Sequence, residues 1–115
     1  MTRFATIGSN FVTVSFLEAA QGVEGFQLEG VYSRTRARAE EFAAKWDAPR
    51  TYTSLDALCA DPAIEAVYVA SPNACHEAQA IALLKAGKHV LCEKPIAPDS
   101  AALARMARAA RETGR

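Results

Sequence analysis

Apolar residues in this chain follow two alternating rhythms. Short apolar blocks predict strands at Arg3–Ile7, Gln27–Ser33, Thr51–Tyr52, Ala66–Ala70 and His89–Cys92. Between them the apolar positions recur at helical spacing. A first helix is expected over Phe11–Gln21, with Thr13, Phe16, Leu17 and Ala20 on one face, and a second over Arg36–Trp46, with Ala39, Phe42, Ala43 and Trp46 as its stripe. Ser54 caps a short helix, Leu55–Ala60. A further helix runs over His76–Ala86 and ends at Gly87. The last helix starts behind Asp99 and carries Leu103, Met106, Ala107 and Ala110. Strand and helix thus alternate throughout, which predicts an α/β fold: a doubly wound, mostly parallel Rossmann-type sheet of about five strands with helices on both faces. The run Ala66-Val67-Tyr68-Val69-Ala70 is nearly all apolar, as a strand covered on both faces should be.

Length and composition narrow the classes. The 115 residues suffice for one domain, residues 1–115. Thirteen basic and 13 acidic residues cancel, so charge gives no argument for a nucleic-acid or anionic-membrane partner. No apolar run approaches the ~18 residues that span a bilayer. The opening Met1-Thr2-Arg3-Phe4 enters the first strand directly, with no room expected for a signal peptide. Cys59, Cys75 and Cys92 are odd in number and lack metal-site spacing, which fits reduced thiols in a cytoplasmic protein with no metal.

The first strand runs into Gly8-Ser9-Asn10-Phe11-Val12-Thr13. A dinucleotide fold places G-x-G-x-x-G here: one glycine for the turn, one for approach of the pyrophosphate and one for helix packing. Only Gly8 is kept; Asn10 and Thr13 stand at the other two positions. The helix N-terminus behind the turn still favours an anion, and Ser9 and Asn10 offer side-chain donors. The same residues also fit a plain strand-to-helix turn with a capping asparagine.

The second strand ends in Val31-Tyr32-Ser33-Arg34-Thr35-Arg36-Ala37-Arg38. An NAD-preferring site usually puts a carboxylate here for the ribose 2′-hydroxyl. This chain has a hydroxyl and three arginines instead. Arg34 and Arg38 are four apart, a spacing that could bring them to one face at the start of the second helix, and guanidinium groups take phosphate bidentately. With Ser33 they predict a 2′-phosphate site and hence NADP in preference to NAD. The alternative is a solvated helix face paired with Glu40 and Glu41.

After the fourth strand comes Ser71-Pro72-Asn73-Ala74-Cys75-His76. Pro72 ends the strand, and Ser71, Pro72, Asn73 and His76 fall near the crevice where the nicotinamide ribose would lie. A histidine at a helix N-terminus has its charged form disfavoured, so a neutral His76 is expected to bond cofactor or substrate, or else only to cap the helix. The fifth strand gives way to Glu93-Lys94-Pro95. A lysine at the carboxyl end of a parallel strand points into the ligand crevice of an open α/β sheet. There it can polarise a carbonyl and act as a general acid. The competing reading is a surface lysine neutralised by Glu93.

Taken together, Ile7-Gly8, Tyr32-Ser33-Arg34, Ala66 to Asn73, His76 and the run Ala86-Gly87-Lys88-His89-Val90-Leu91-Cys92-Glu93-Lys94-Pro95 resemble the glucose–fructose oxidoreductase / inositol dehydrogenase / rhizopine-catabolism family, Gfo/Idh/MocA. The likeness covers essentially the whole chain but only the first third of a typical member. It implies an NAD(P)-dependent oxidoreductase of sugars, polyols or related carbonyls. Lys94 then corresponds to the lysine that delivers or accepts the substrate proton, and Gly8–Phe11, Glu93 and Lys94 join the cofactor residues. It also implies a second α/β domain, absent here, that supplies most of the substrate pocket and a catalytic histidine. Two other readings stay open: a non-catalytic NADP(H)-binding module, natural or a truncated fragment, and a regulatory α/β domain that binds no nucleotide. The expected partner is a small carbonyl or polyol; a homo-oligomer is compatible with the sequence.

Overall fold

The computed structural model describes all 115 residues. Its elements are β1 (Thr2–Ile7), α1 (Phe11–Ala20), β2 (Phe26–Tyr32), α2 (Arg36–Trp46), β3 (Arg50–Tyr52), α3 (Leu55–Ala60), β4 (Ala66–Val69), a single 3-10 turn (Asn73–Cys75), α4 (His76–Lys85), β5 (His89–Cys92) and α5 (Ser100–Thr113). The strands form one sheet in the order β3-β2-β1-β4-β5, and every pair is parallel. The order reverses direction at β1, which lies between β2 and β4. In open α/β sheets that reversal opens a crevice at the carboxyl ends of the strands.

Register brings those ends to one level. Ile7 pairs with Tyr32 on one side and Val69 on the other, Tyr32 pairs with Tyr52, and Val69 pairs with Cys92. The residues that follow, from Gly8, Ser33, Ala70 and Glu93 onward, therefore leave the sheet along a single rim.

Side chains on β1 alternate between two cores, as the two-residue period of a strand requires. Ala5 and Ile7 join Val67, Val69, Leu58 and Leu83 on the face covered by α3 and α4. Phe4 joins Leu17, Val31, Phe42 and Ala43 on the face covered by α1 and α2. Tyr68 turns toward that second face and stacks on Phe16, with ring centroids 4.0 Å apart. Four of the five α-helices start behind a side-chain cap: Asn10, Thr35, Ser54 and Asp99 each accept a main-chain N–H three residues on. At the other end of α4, Gly87 adopts φ +86°, where a glycine stop is at ease.

The expected elements are all present, with boundary shifts of one residue. β2 begins and ends one residue earlier than the composition suggested, and β3 begins at Arg50 because its pairing partner Gly30 reaches that far. β4 closes at Val69, α1 at Ala20 and α4 at Lys85. The 3-10 turn at Asn73–Cys75 was expected as loop; there the Cys75 N–H donates to the Pro72 carbonyl at 2.8 Å. The stripe of α5 also differs. Its buried residues are Ala102, Met106 and Ala109, while Leu103 is 47% exposed. α5 packs on α4, with Arg105 reaching Glu77, and the two alanines let the helices approach closely along a narrow seam that Leu103 misses. No helix is long and apolar enough to cross a membrane.

Candidate functional site: a cleft at the tips of the strands

A cleft of about 530 Å³ lies over the carboxyl ends of β1, β2 and β4 and is lined by 14 residues. It receives Gly8, Ser9 and Asn10 from the turn after β1, Ser33, Arg34, Thr35 and Arg38 from the start of α2, and Ser71, Pro72, Cys75 and Gln79 from the connection into α4. A second cavity of about 380 Å³ opens at the opposite, amino-terminal edge of the sheet. Its wall of Met1, Phe4, Leu17, Phe26, Leu28 and Trp46 lacks the arginines and hydroxyls that line the first.

Gly8 fixes the floor. Its φ is +104°, and a Cβ built there would lie 2.6 Å from the carbonyl oxygen of Ala70. Only glycine lets β1 turn into α1 this close to the end of β4. Asn10 then does two structural jobs. Its Oδ1 accepts the Thr13 N–H at 3.1 Å, capping α1, and its Nδ2 donates to the Ala70 carbonyl at 3.0 Å. Asn10 thus caps the helix and ties it to β4, while the second N–H of its Nδ2, on an exposed residue that lines the cleft, has no partner in the fold. The main-chain N–H groups of the first turn, beginning with Phe11 and Val12, have no intrahelical partner and remain for an anion.

The arginine wall is clear-cut electrostatically. Arg36 pairs with Glu40 at 4.0 Å, the solvated-face arrangement. Arg34 and Arg38 have no carboxylate partner, and no acidic residue lines the cleft. Arg38 instead donates from Nε to the Ser9 hydroxyl at 3.2 Å, and its own N–H goes to Thr35 Oγ1 at 3.4 Å. Two uncompensated guanidinium groups, Arg34 just before the Thr35 cap and Arg38 in the first turn of α2, can together attract an anion. On the far wall the Ser71 hydroxyl donates to Gln79 Oε1 at 2.5 Å.

The remaining expected residues lie outside this lining. Phe11 is 79% exposed beside the turn, and Asn73 is exposed on the 3-10 turn. His76 is 1% exposed, with Nδ1 2.9 Å from the Pro95 carbonyl and Nε2 2.9 Å from the Ser71 carbonyl. Both ring nitrogens are turned to main-chain carbonyls and away from the cleft, so the expected bond from His76 to a ligand is corrected to a buried ring packed between the loops after β4 and β5, with a ring N–H available to either carbonyl. It did not arise from sequence reasoning because a histidine at a helix start reads as reachable; burial under Pro95 depends on tertiary contact.

Glu93 and Lys94 leave β5, one strand beyond those the cleft covers. Glu93 accepts from the Tyr68 hydroxyl and from the Lys94 N–H, at 2.5 and 3.2 Å. The phenol first, and the N–H second, hold its carboxyl below the ordinary glutamate value of 4.5. Burial and the same carboxylate push the Tyr68 hydroxyl up. Lys94 is exposed, and its peptide bond to Pro95 is cis.

Thr35, Cys75 and Gln79 line the cleft and were not singled out from the sequence. Helical spacing points to Gln79, four residues after Cys75 and thus on the same side of α4. Thr35 is legible as the cap of α2.

Comparison with known proteins places the chain. Residues 2–115 match the GFO_IDH_MocA model, described as an oxidoreductase family with an NAD-binding Rossmann fold. Among curated relatives, scyllo-inositol 2-dehydrogenase (NADP(+)) IolU of Bacillus subtilis is 48% identical over 114 residues, 99% of this chain and 35% of the relative. The 1,5-anhydro-D-fructose reductase of Ensifer adhaerens is 34% identical over 99% of this chain and 34% of its own length. Among solved structures, a mutant form of KijD10, a 3-ketoreductase from Actinomadura kijaniata, in complex with TDP-benzene and NADP, superposes with a TM-score of 0.92 at 30% identity over 98% of this chain and 35% of that one. The chain spans about a third of the length of the curated relatives it matches.

Proposed function

This chain belongs to the Gfo/Idh/MocA oxidoreductase family, and from that premise we propose that it is the NADP(H)-binding portion of a dehydrogenase or reductase acting on a sugar, polyol or related carbonyl. One observation carries the cofactor preference. Arg34 and Arg38 face the cleft without a carboxylate partner, and no acidic side chain stands where a ribose 2′-hydroxyl would be taken. The fit of a dinucleotide is supported by Gly8, where a Cβ would fill the space against Ala70 that the turn needs.

In this reading the free N–H groups at the start of α1, with Ser9, hold the pyrophosphate. Ser33, Arg34 and Arg38 hold the 2′-phosphate, and the α2 N-terminus adds its partial positive charge. Ser71 and Pro72 shape the wall toward β5. Nicotinamide, when bound, supplies or takes up the hydride. Lys94, at the exit of β5, holds or delivers the proton at the substrate oxygen and stabilises charge developing there. Glu93 keeps the turn before Lys94 in place through the Lys94 N–H. The substrate class draws on the relatives, whose names describe an inositol dehydrogenase, an anhydrofructose reductase and a dihydrodiol dehydrogenase. It concerns a polypeptide of their length. Unpaired Cys59, Cys75 and Cys92 favour a reducing, cytoplasmic setting.

Calorimetric titration of the chain with NADPH and NADH tests the reading. Tighter NADPH binding that is lost in Arg38→Ala, with NADH little changed, supports it. Absence of binding by either nucleotide favours a regulatory domain and overturns it.

A further inference from the structure

We propose that Ser9 is a specificity-determining residue: it presents Arg38 to the 2′-phosphate and so sets the preference for NADP(H) over NAD(H). The inference rests on the dinucleotide reading above and adds to it a residue from the opposite side of the cleft.

Ser9 and Arg38 are 29 positions apart in sequence, on the turn after β1 and on α2. The contact between them is from Arg38 Nε to Ser9 Oγ, at 3.2 Å. A guanidinium carries five N–H groups in a rigid plane. A partner on Nε fixes that plane while leaving both terminal nitrogens, the pair that grips a phosphate side by side, without a partner in the protein. Thr35 holds the other end of the residue by accepting the Arg38 main-chain N–H. Arg38 is thus held at its backbone and at its Nε, and no carboxylate competes for it. Arg34, on the same wall, makes no side-chain bond and no ion pair, so only one of the two arginines is oriented before a ligand arrives.

The hydroxyl has the right valence for this task. It accepts from Nε and keeps its own proton to donate. Ser9 sits on the turn that meets the pyrophosphate, so a single hydroxyl links the two phosphate positions. A side chain already ordered loses less freedom on binding, and the gain falls on the ligand that uses Arg38.

The test is a double-mutant cycle on the 115-residue chain, with dissociation constants for NADP+ and NAD+ from calorimetry. Ser9→Ala is expected to weaken NADP+ by about three- to tenfold, the cost of re-ordering one long side chain, while NAD+ changes less than about twofold. In an Arg38→Ala background the same Ser9→Ala change has no further effect on NADP+, because the residues act as a unit. Ser9→Thr, which keeps the hydroxyl, retains the preference. Thermal midpoints confirm that each variant folds, and Ser9→Gly, which also removes the hydroxyl, carries the comparison if Ser9→Ala does not fold. Equal weakening of both nucleotides by Ser9→Ala overturns the inference, since the hydroxyl then serves the pyrophosphate alone. So does an effect of Ser9→Ala that persists without Arg38, or no effect at all. If the wild-type chain binds neither nucleotide, the dinucleotide reading itself fails and this inference falls with it, a result distinct from binding with unaltered selectivity.

Discussion

The Tyr68 hydroxyl donates to the Glu93 carboxylate across 2.5 Å, joining the middle of a buried strand to the residue just before Lys94. Because this bond holds the Glu93 carboxyl below 4.5, the ionised form is favoured in the folded state. The associated stability is present above the unfolded value and is lost as pH falls through the folded one. Tyr68→Phe removes the donor. Its stability, followed by urea midpoint, is expected to depend less on pH on the acid side of 4.5 than that of wild type. Some dependence stays, because Asp61 is held low as well, first by the Tyr52 hydroxyl and then by the Ala63 N–H. An acid profile identical to wild type counts against the role given to the Tyr68 bond.

Gly8→Ala puts a methyl group 2.6 Å from the Ala70 oxygen at φ +104°. The strain is expected to cost about 1–3 kcal/mol, or more if β4 cannot yield. Urea unfolding measures the loss, and NADP+ titration of the folded fraction is expected to show weakened binding because the turn must open.

Asn10→Asp separates two roles of one residue. Aspartate caps a helix as well as asparagine, so α1 should keep its start. It cannot donate to the Ala70 carbonyl, and it sets a negative charge where the proposed reading puts phosphate. NADP+ affinity is expected to fall at least tenfold, a change of ~1.4 kcal/mol, and the thermal midpoint to fall as well, because the Ala70 carbonyl loses its donor. Unchanged affinity would mean that the anion lies elsewhere.

His76→Ala removes the ring N–H available to the Ser71 and Pro95 carbonyls and opens space in a site that is 1% exposed. Each buried unsatisfied group costs ~1–3 kcal/mol, so a total loss of a few kcal/mol is expected in urea unfolding. A loss below ~1 kcal/mol would count against that role of the ring between the two loops.

Lys94→Ala tests the division of labour along the rim. Lys94 stands outside the cleft lining, so NADP+ affinity is expected to stay within about threefold of wild type, a difference below ~1 kcal/mol. In a protein of the relatives' full length, turnover is expected to fall by about 10²–10⁴-fold, as for loss of a general acid.

Much of this architecture is written locally. The strand blocks, the capping residues Asn10, Thr35, Ser54 and Asp99, and the alternation of periods are short-range signals, and they specify a parallel sheet before any contact is known. The same holds for Gly8, because a turn from strand to helix at that point needs a positive φ. The parts that misled depend on contacts between distant segments. Asn10 has the chemistry of an anion donor, and only the nearness of Ala70, 60 positions away, engages one of its two amide N–H groups. His76 reads as accessible until Pro95 folds over it. Leu103 looks like the heart of the α5 stripe, yet the seam with α4 runs along its alanines. The Ser9–Arg38 contact is invisible in sequence for the same reason: nothing near either residue announces the other.

The double fastening of Asn10 leaves the turn after β1 little freedom to remodel. Where a glycine-rich version of this turn can flex around its guest, here one amide has bolted the helix to the neighbouring strand. A binding pocket with such a stiff lip discriminates by rejecting what does not fit, so changes in ligand preference should come from altering the side chains along its walls.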